Sequence, residues 1–144
     1  MVDVFPCRKL TAIPNVDASE SPDLVPIIAL IASIANGTTV INNAERLRYK
    51  ESDRLASICS VLKALGANIT EMEDRLIIVG TEKLQGAYEG DGYGDHRIIM
   101  MIAASSLVSV DMVKIHGASA AAKSFPNFFE VLHKLGLDDN IELV

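Results

Sequence analysis

Two apolar runs set the limits on what this chain can fold into. Leu24–Ala35 and Ile98–Leu107 are both far below the ~20 residues that a bilayer span needs, yet too apolar to lie on a surface. Each has an aspartate at or shortly before its start, Asp23 and Asp95, a residue type suited to opening a helix. The pattern predicts two fully buried helices, each needing a partner. The two aspartates are 72 positions apart (95 − 23), and Leu62-Lys63-Ala64-Leu65-Gly66 echoes Leu132-His133-Lys134-Leu135-Gly136 at a spacing of 70 (132 − 62). Chance echoes occur in any α/β chain. Here strings, element order and spacing agree, so the chain reads as two similar units that bury their apolar helices against each other.

The element pattern fills in the units. Strands are predicted at Val2–Phe5 and Leu10–Ile13, a helix from Asp23 to Ala35, and a β-branched strand at Thr38–Ile41. Asn36-Gly37 supplies the intervening helix stop. An amphipathic helix follows from Ser52 to Leu65, with Leu55, Ile58, Leu62 and Leu65 on one face and Gly66 behind it. Asn68–Glu71 and Leu76–Val79 alternate around Glu73-Asp74 as a hairpin. The second unit has a helix from Asp95 to Val108, a strand at Met112–His116, and a helix from Phe125 to Leu135 with Pro126 in its first turn. The fold class is α/β.

At 144 residues, 49% apolar and 22% charged, the chain is a single globular domain that needs no staple. A net charge of −6 without a basic face argues against a nucleic-acid partner, and zero Trp, three Tyr and four Phe argue against base stacking. No membrane segment is expected. Cys7 and Cys59 cannot form a disulfide scaffold, and no signal-peptide pattern is visible, so a cytoplasmic setting is the expectation.

The polar residues are less ordinary. Charge gathers where each of the four helices is predicted to begin: Pro22-Asp23, Lys50-Glu51-Ser52-Asp53-Arg54, Asp95-His96-Arg97 and Lys123-Ser124. Asp and Ser are normal caps there. Lys and Arg are not, because a helix N-terminus carries about half a positive charge and each cation costs about 0.3–1 kcal/mol unless an anion answers it. An acidic chain that places Lys50, Arg54, Arg97 and Lys123 there is arranged to hold an anionic ligand. The bland alternative is local surface pairing, Lys50 and Arg54 with Glu51 and Asp53, Arg97 with Asp95. Arg97 fits that least well, since Ile-Ile-Met-Met-Ile follows it directly.

Single residues keep two readings. Asp23 is either a plain cap or a general base in a dry cationic cleft. Glu51 is either a first-turn helix stabiliser or a proton shuttle. His96 is a capping histidine, a proton donor or a phosphate contact, but His116 and His133 give it no metal-ligand spacing. Ser52, Ser60, Ser105 and Ser106 lack a nucleophile-elbow setting. Gly90-Asp91-Gly92-Tyr93-Gly94 matches no phosphate-loop motif.

Together, Arg48-Tyr49-Lys50-Glu51-Ser52-Asp53-Arg54-Leu55, Tyr93-Gly94-Asp95-His96-Arg97 and Ala122-Lys123-Ser124-Phe125-Pro126-Asn127-Phe128-Phe129 resemble three signatures of the 3-phosphoshikimate 1-carboxyvinyltransferase (EPSP synthase) family. They stand in the family's order and spacing. The stretch ending at Asp23 resembles the segment that carries the family's catalytic aspartate. The resemblance spans essentially the whole chain but only about the last third of a family member. It implies repeated βαβαββ units in an inside-out barrel, with residues 1–144 as a partial, C-terminal domain whose units run about 8–80 and 81–144.

The resemblance also implies chemistry: the enolpyruvyl group of phosphoenolpyruvate moves to the 5-hydroxyl of shikimate 3-phosphate, releasing phosphate, on the way to chorismate. Arg54, Arg97 and Lys123 would hold phosphoenolpyruvate, and Lys50 with Asp23 would contact shikimate 3-phosphate. Asp23 would take the hydroxyl proton, and Glu51, with Lys123, would manage the proton at the vinyl carbon. His96 belongs to the motif as a substrate-site residue without an assigned role. No metal or organic cofactor is implied. Arg46 stands where the family often has a small polar residue, so that contact is not carried over. The partner required is the family's N-terminal domain, and the chain alone is expected to be inactive. A UDP-N-acetylglucosamine enolpyruvyl transferase-like domain and a non-catalytic anion-binding module are the competing readings.

Overall fold

Pro14 decides where the first strand begins. In the computed structural model, which describes residues 9–137, the stretch predicted as strand Leu10–Ile13 makes only a bridge at Thr11–Asn36. Ala12 donates to the Asn36 carbonyl and Asn36 to that of Leu10, at 3.0 and 2.9 Å. Pro14 has no N–H to continue the ladder, so β1 is instead Asn15–Asp17, parallel to β2, Thr38–Asn42. The strand expected at Val2–Phe5 and the residue Cys7 lie outside the described residues.

Helix α1 covers Val25–Ile34 and is entered through a 3₁₀ turn, Pro22–Leu24, rather than starting at Asp23. Pro26 explains the delay: its missing N–H is tolerated only in the first turn. The expectation of full burial needs correction too. Val25, Ala29, Leu30 and Ala32 are buried, but Leu24, Ile27 and Ile31 are 50%, 36% and 47% exposed. Their i, i+3, i+7 spacing puts them on one side of the helix, which nothing among the described residues covers.

Helix α2, Arg54–Ala64, is capped by Asp53, whose carboxylate accepts from Ala56 N–H at 3.1 Å. It ends in a Schellman arrangement around Gly66, with Gly66 N–H on Lys63 O and Ala67 N–H on Leu62 O at 3.0 and 2.8 Å. The hairpin β3, Asn68–Glu71, and β4, Leu76–Val79, has the predicted bounds. The sheet order is β1-β2-β4-β3, antiparallel except for the β1–β2 pair.

In the second unit β5, Tyr88–Asp91, pairs in parallel with β6, Val113–His116, and α3, His96–Ser105, connects them. The β5 strand had no sequence expectation. The last helix, α4, covers only Phe128–Leu132 and runs into a π turn, His133–Leu137. It starts three residues later than predicted because Pro126 disfavours a helical Phe125.

The two units match closely. The parallel pairs Asn15–Val40 and Tyr88–Val113 differ by 73 positions at both ends (88 − 15, 113 − 40), and so do the bridges Thr11–Asn36 and Leu84–Ser109 (84 − 11, 109 − 36). Ser33 and Ser105 each donate to the carbonyl three residues back, Leu30 and Ile102, at 2.7 Å. The fold is therefore mixed α/β with repeating strand–helix units. It is not a closed barrel: the described strands form one four-stranded and one two-stranded sheet. Residues of α1, α2 and α3, among them Leu30, Ile58, Leu62, Ile98 and Ile102, form the shared core.

Candidate active site

The segment before α2 is fastened from below by Arg48. Its Nε and Nη2 donate to the carbonyls of Glu73 and Met72 at 2.9 and 2.7 Å, and Nη1 reaches Glu71 and Asp53 at 2.8 and 2.9 Å. Bonds to the hairpin turn and to the end of β3 leave this arginine structural. They also fix the chain direction just ahead of Lys50 and Glu51.

Arg54 then opens α2 with its side chain only 1% exposed. A guanidinium can be buried only if carboxylates surround it, and three do. Nε meets Asp95 Oδ2 at 2.7 Å, Nη1 meets Asp23 Oδ1 at 2.7 Å, and Nη2 meets Glu51 Oε2 at 2.7 Å. Asp95, itself fully buried, also accepts from Ser52 Oγ at 3.2 Å and caps α3 through Arg97 N–H at 2.9 Å.

The remaining cations reach the outer carboxylates. Lys50 Nζ lies 3.6 Å and Arg97 Nη2 3.4 Å from Asp23, while Lys123 Nζ lies 3.1 Å from Glu51. His96 is buried beside them, its Nδ1 3.9 Å from both Glu51 and Asp95 and without a hydrogen-bond partner. The structure thus brings Asp23, Lys50, Glu51, Arg54, His96, Arg97 and Lys123 to one place, from segments a hundred positions apart. Asp95 and Ser52 belong to the same network. In the sequence both read as ordinary helix-start residues, with nothing to mark them as partners of the site.

Several local expectations change. Asp23 is not a cap: it sits inside the 3₁₀ turn, and neither Ser21 nor Leu24 at the adjoining caps uses a side chain. Lys50 and Lys123 do not open helices but end 3₁₀ turns, Glu45–Tyr49 and Ala118–Lys123, where a cation is favoured. Only Arg54, His96 and Arg97 occupy first turns. Arg97 pairs with Asp23 rather than Asp95, so the local-pairing alternative fails for it. Glu51 lies ahead of the Asp53 cap and outside α2.

The electrostatics follow from these distances. The bond from Arg54 holds the Asp23 carboxyl below its ordinary range, against an opposing burial effect. Glu51 is lowered first by a bond from its own backbone N–H, then by Lys123. Burial pulls the Arg54 guanidinium down, but the bonds it donates to Asp95 and Asp23 outweigh that and raise it overall. Four cations thus face three carboxylates, with a surplus of one positive charge in a chain of net −6. Beside Asp23 and Arg97 a cleft of about 170 Å³ runs between α1 and α3, past Met100 and Phe128. Among the described residues no helix is long and apolar enough to cross a membrane.

Comparison with known proteins places this arrangement. The strand–helix repeat superposes on the enolpyruvyl transferase NikO from Streptomyces tendae with a TM-score of 0.69 over 91% of this chain and 29% of that one. At 21% identity this shows a shared fold, that of the enolpyruvyl transferases. A structure of EPSP synthase from Acinetobacter baumannii matches with a TM-score of 0.75 and 33% identity over 81% of this chain and 28% of that one. The family model for EPSP synthase (3-phosphoshikimate 1-carboxyvinyltransferase) matches residues 5–132. The chain belongs to the EPSP synthase family. It is 46% identical to the 3-phosphoshikimate 1-carboxyvinyltransferase of Clostridium acetobutylicum over 85% of its own length and 28% of the relative's. For that of Halobacterium salinarum the figures are 42%, 86% and 29%. The chain therefore spans less than a third of the relatives it matches.

Proposed function

We propose that the chain is the C-terminal part of an enzyme that transfers the enolpyruvyl group of phosphoenolpyruvate to the 5-hydroxyl of shikimate 3-phosphate. On this reading its units run about 8–80 and 81–144, and the remainder of the enzyme closes over the site. One observation carries the reading: the ion-pair network that joins Asp23 to Lys123 gathers four cations around two partly exposed carboxylates, Asp23 and Glu51.

Both substrates are anions, so fixed cations position them and stabilise developing charge without covalent attachment. Arg54, Arg97 and Lys123 hold phosphoenolpyruvate, and Lys50 with Asp23 holds shikimate 3-phosphate. The hydroxyl oxygen bonds to C2 of the enol while its proton passes to Asp23 and C3 receives a proton from the side of Glu51 and Lys123. Loss of a C3 proton and departure of phosphate then restore the enol ether. His96 borders Glu51 within this site.

The test is a phosphate-release assay on the chain alone and on the chain joined to the remaining part of the Clostridium acetobutylicum relative. The expected result is no turnover alone and turnover when joined, reduced about 10²–10⁴-fold by Asp23→Asn or Glu51→Gln. Steady release from the chain alone contradicts the partial-site reading. Preference for UDP-N-acetylglucosamine over shikimate 3-phosphate contradicts the substrate.

A further inference from the structure

Three of the four cations converge on a single, half-exposed carboxylate. Arg54 Nη1, Arg97 Nη2 and Lys50 Nζ lie 2.7, 3.4 and 3.6 Å from Asp23, whose side chain is 47% exposed. The other carboxylates on Arg54 are held differently. Asp95 is fully buried and also caps α3, so it cannot leave without unfolding the helix start. Asp23 caps nothing and receives no bond except from these cations among the contacts described.

The cations around Asp23 are also incompletely satisfied. The Nε of Arg97 is buried without a partner, and Lys50 stands at 3.6 Å, beyond hydrogen-bond reach. A buried donor without an acceptor costs about 1–3 kcal/mol, which a ligand oxyanion that reaches it can recover. The place taken by the Asp23 carboxylate opens onto the cleft between α1 and α3. The cleft is lined mainly by apolar side chains, Leu24, Ile27, Met100 and Phe128 among them, so the three cations are the seat for an anionic group and the cleft takes the uncharged part of a ligand.

We propose that Asp23 occupies, in the unliganded chain, the place that a ligand oxyanion takes on Arg54, Arg97 and Lys50, and that binding displaces it. This deepens the function proposed above and rests on it. The exchange ties two events together. Paired with three cations, Asp23 is a poor base. Once the ligand's oxyanion has replaced it, the carboxylate is free of them and beside the new negative charge, and can accept the proton of an attacking hydroxyl. The base is thus active only when the site is filled.

The experiment measures binding of inorganic phosphate, pyruvate and phosphoenolpyruvate to the chain, to Asp23→Asn and Asp23→Ser, and to Glu89→Gln. The last removes one negative charge from an exposed residue of β5 that pairs with Lys114 and His116, neither of them a site residue. Thermal unfolding checks that each variant is folded. Exchange predicts that both Asp23 variants bind phosphate or pyruvate about tenfold more tightly, because no internal anion competes. Glu89→Gln should change affinity less than about twofold under screening salt. Whichever simple anion responds more strongly identifies the group that takes the vacated place.

A crystal structure of the wild-type chain with the bound anion should show the Asp23 carboxylate moved off Arg54. Equal or weaker binding by the Asp23 variants, or an anion bound while the Asp23–Arg54 contact persists, overturns the exchange and leaves the anion site standing. Failure of every protein to bind any of the three anions overturns both.

Discussion

Asp95 Oδ2 accepts from Arg54 Nε at 2.7 Å, with Oδ1 3.3 Å from Nη2, so a carboxylate that caps one repeat unit's inner helix clamps an arginine that opens a helix of the other. Both side chains are essentially removed from solvent. The pair joins the two units at the site itself, and its loss should be felt in both stability and binding.

Asp95→Ala removes a helix cap, worth about 1 kcal/mol, and leaves a buried guanidinium short of its best partner. The expected destabilisation is about 3–5 kcal/mol. Asp95→Asn keeps the cap and should lose at least about 1 kcal/mol less. Urea unfolding of the two variants measures the difference, and equal losses would contradict the double role.

Gly80 is required for a reason unrelated to backbone angle. A Cβ there would stand 1.6 Å from the Ala35 carbonyl oxygen, because the end of β4 crosses the end of α1 backbone to backbone. Gly80→Ala should cost about 3 kcal/mol or more. Gly94, at φ +68 but with open space around its Cβ position, should lose only about 1 kcal/mol as Ala. Thermal unfolding of the two variants should separate them clearly.

The turn that delivers Asp95 carries strain. Asp95 N–H bonds to Gly92 O at 2.9 Å around Tyr93 and Gly94, both with positive φ of 56° and 68°. That is a type I′ turn, which prefers Asn-Gly. Tyr93→Asn should therefore stabilise the chain by about 0.5–1 kcal/mol, despite losing the exposed Tyr93–Ser60 bond. A lowered Tm would contradict this.

Acid should weaken the fold in a defined window. Asp23 and Glu51 titrate below their ordinary values of 3.8 and 4.5, Asp23 through its bond from Arg54 and Glu51 through its own backbone N–H. Groups that bind protons more weakly when folded stabilise fully above those values, and lose that contribution as pH falls through the depressed ones. The Tm should be level above about pH 5 and decline below it. Asp23→Asn with Glu51→Gln should flatten the decline; an unchanged slope would contradict it.

How much of this was legible in the sequence depended on how local its cause was. The β3–β4 hairpin and the Asp53 and Asp95 caps follow from neighbours a few residues apart, and were readable to within a residue or two. Pro14 and Pro126 are plain in the sequence, but the apolar pattern around them points to a strand and a helix that begin earlier than a proline ring without an N–H allows. Strand β5 reads Tyr-Glu-Gly-Asp, with one apolar side chain and no buried residue, so its sequence carries no apolar alternation. The outer face of α1 looked like core because apolar composition does not say which neighbour is present. The site motifs were legible as charges at helix starts. Their pairing was not, since Arg54–Asp95 and Arg97–Asp23 join residues 41 and 74 positions apart.

The most direct test of the account is an NMR titration of the chain with phosphoenolpyruvate, shikimate 3-phosphate and both together, following backbone amides and arginine side chains. Shifts gathered at Lys50, Arg54, His96, Arg97 and Lys123 are expected, with Asp23 moving in concert. A well-folded spectrum that stays unmoved at millimolar ligand would contradict a pre-formed anion site on this chain.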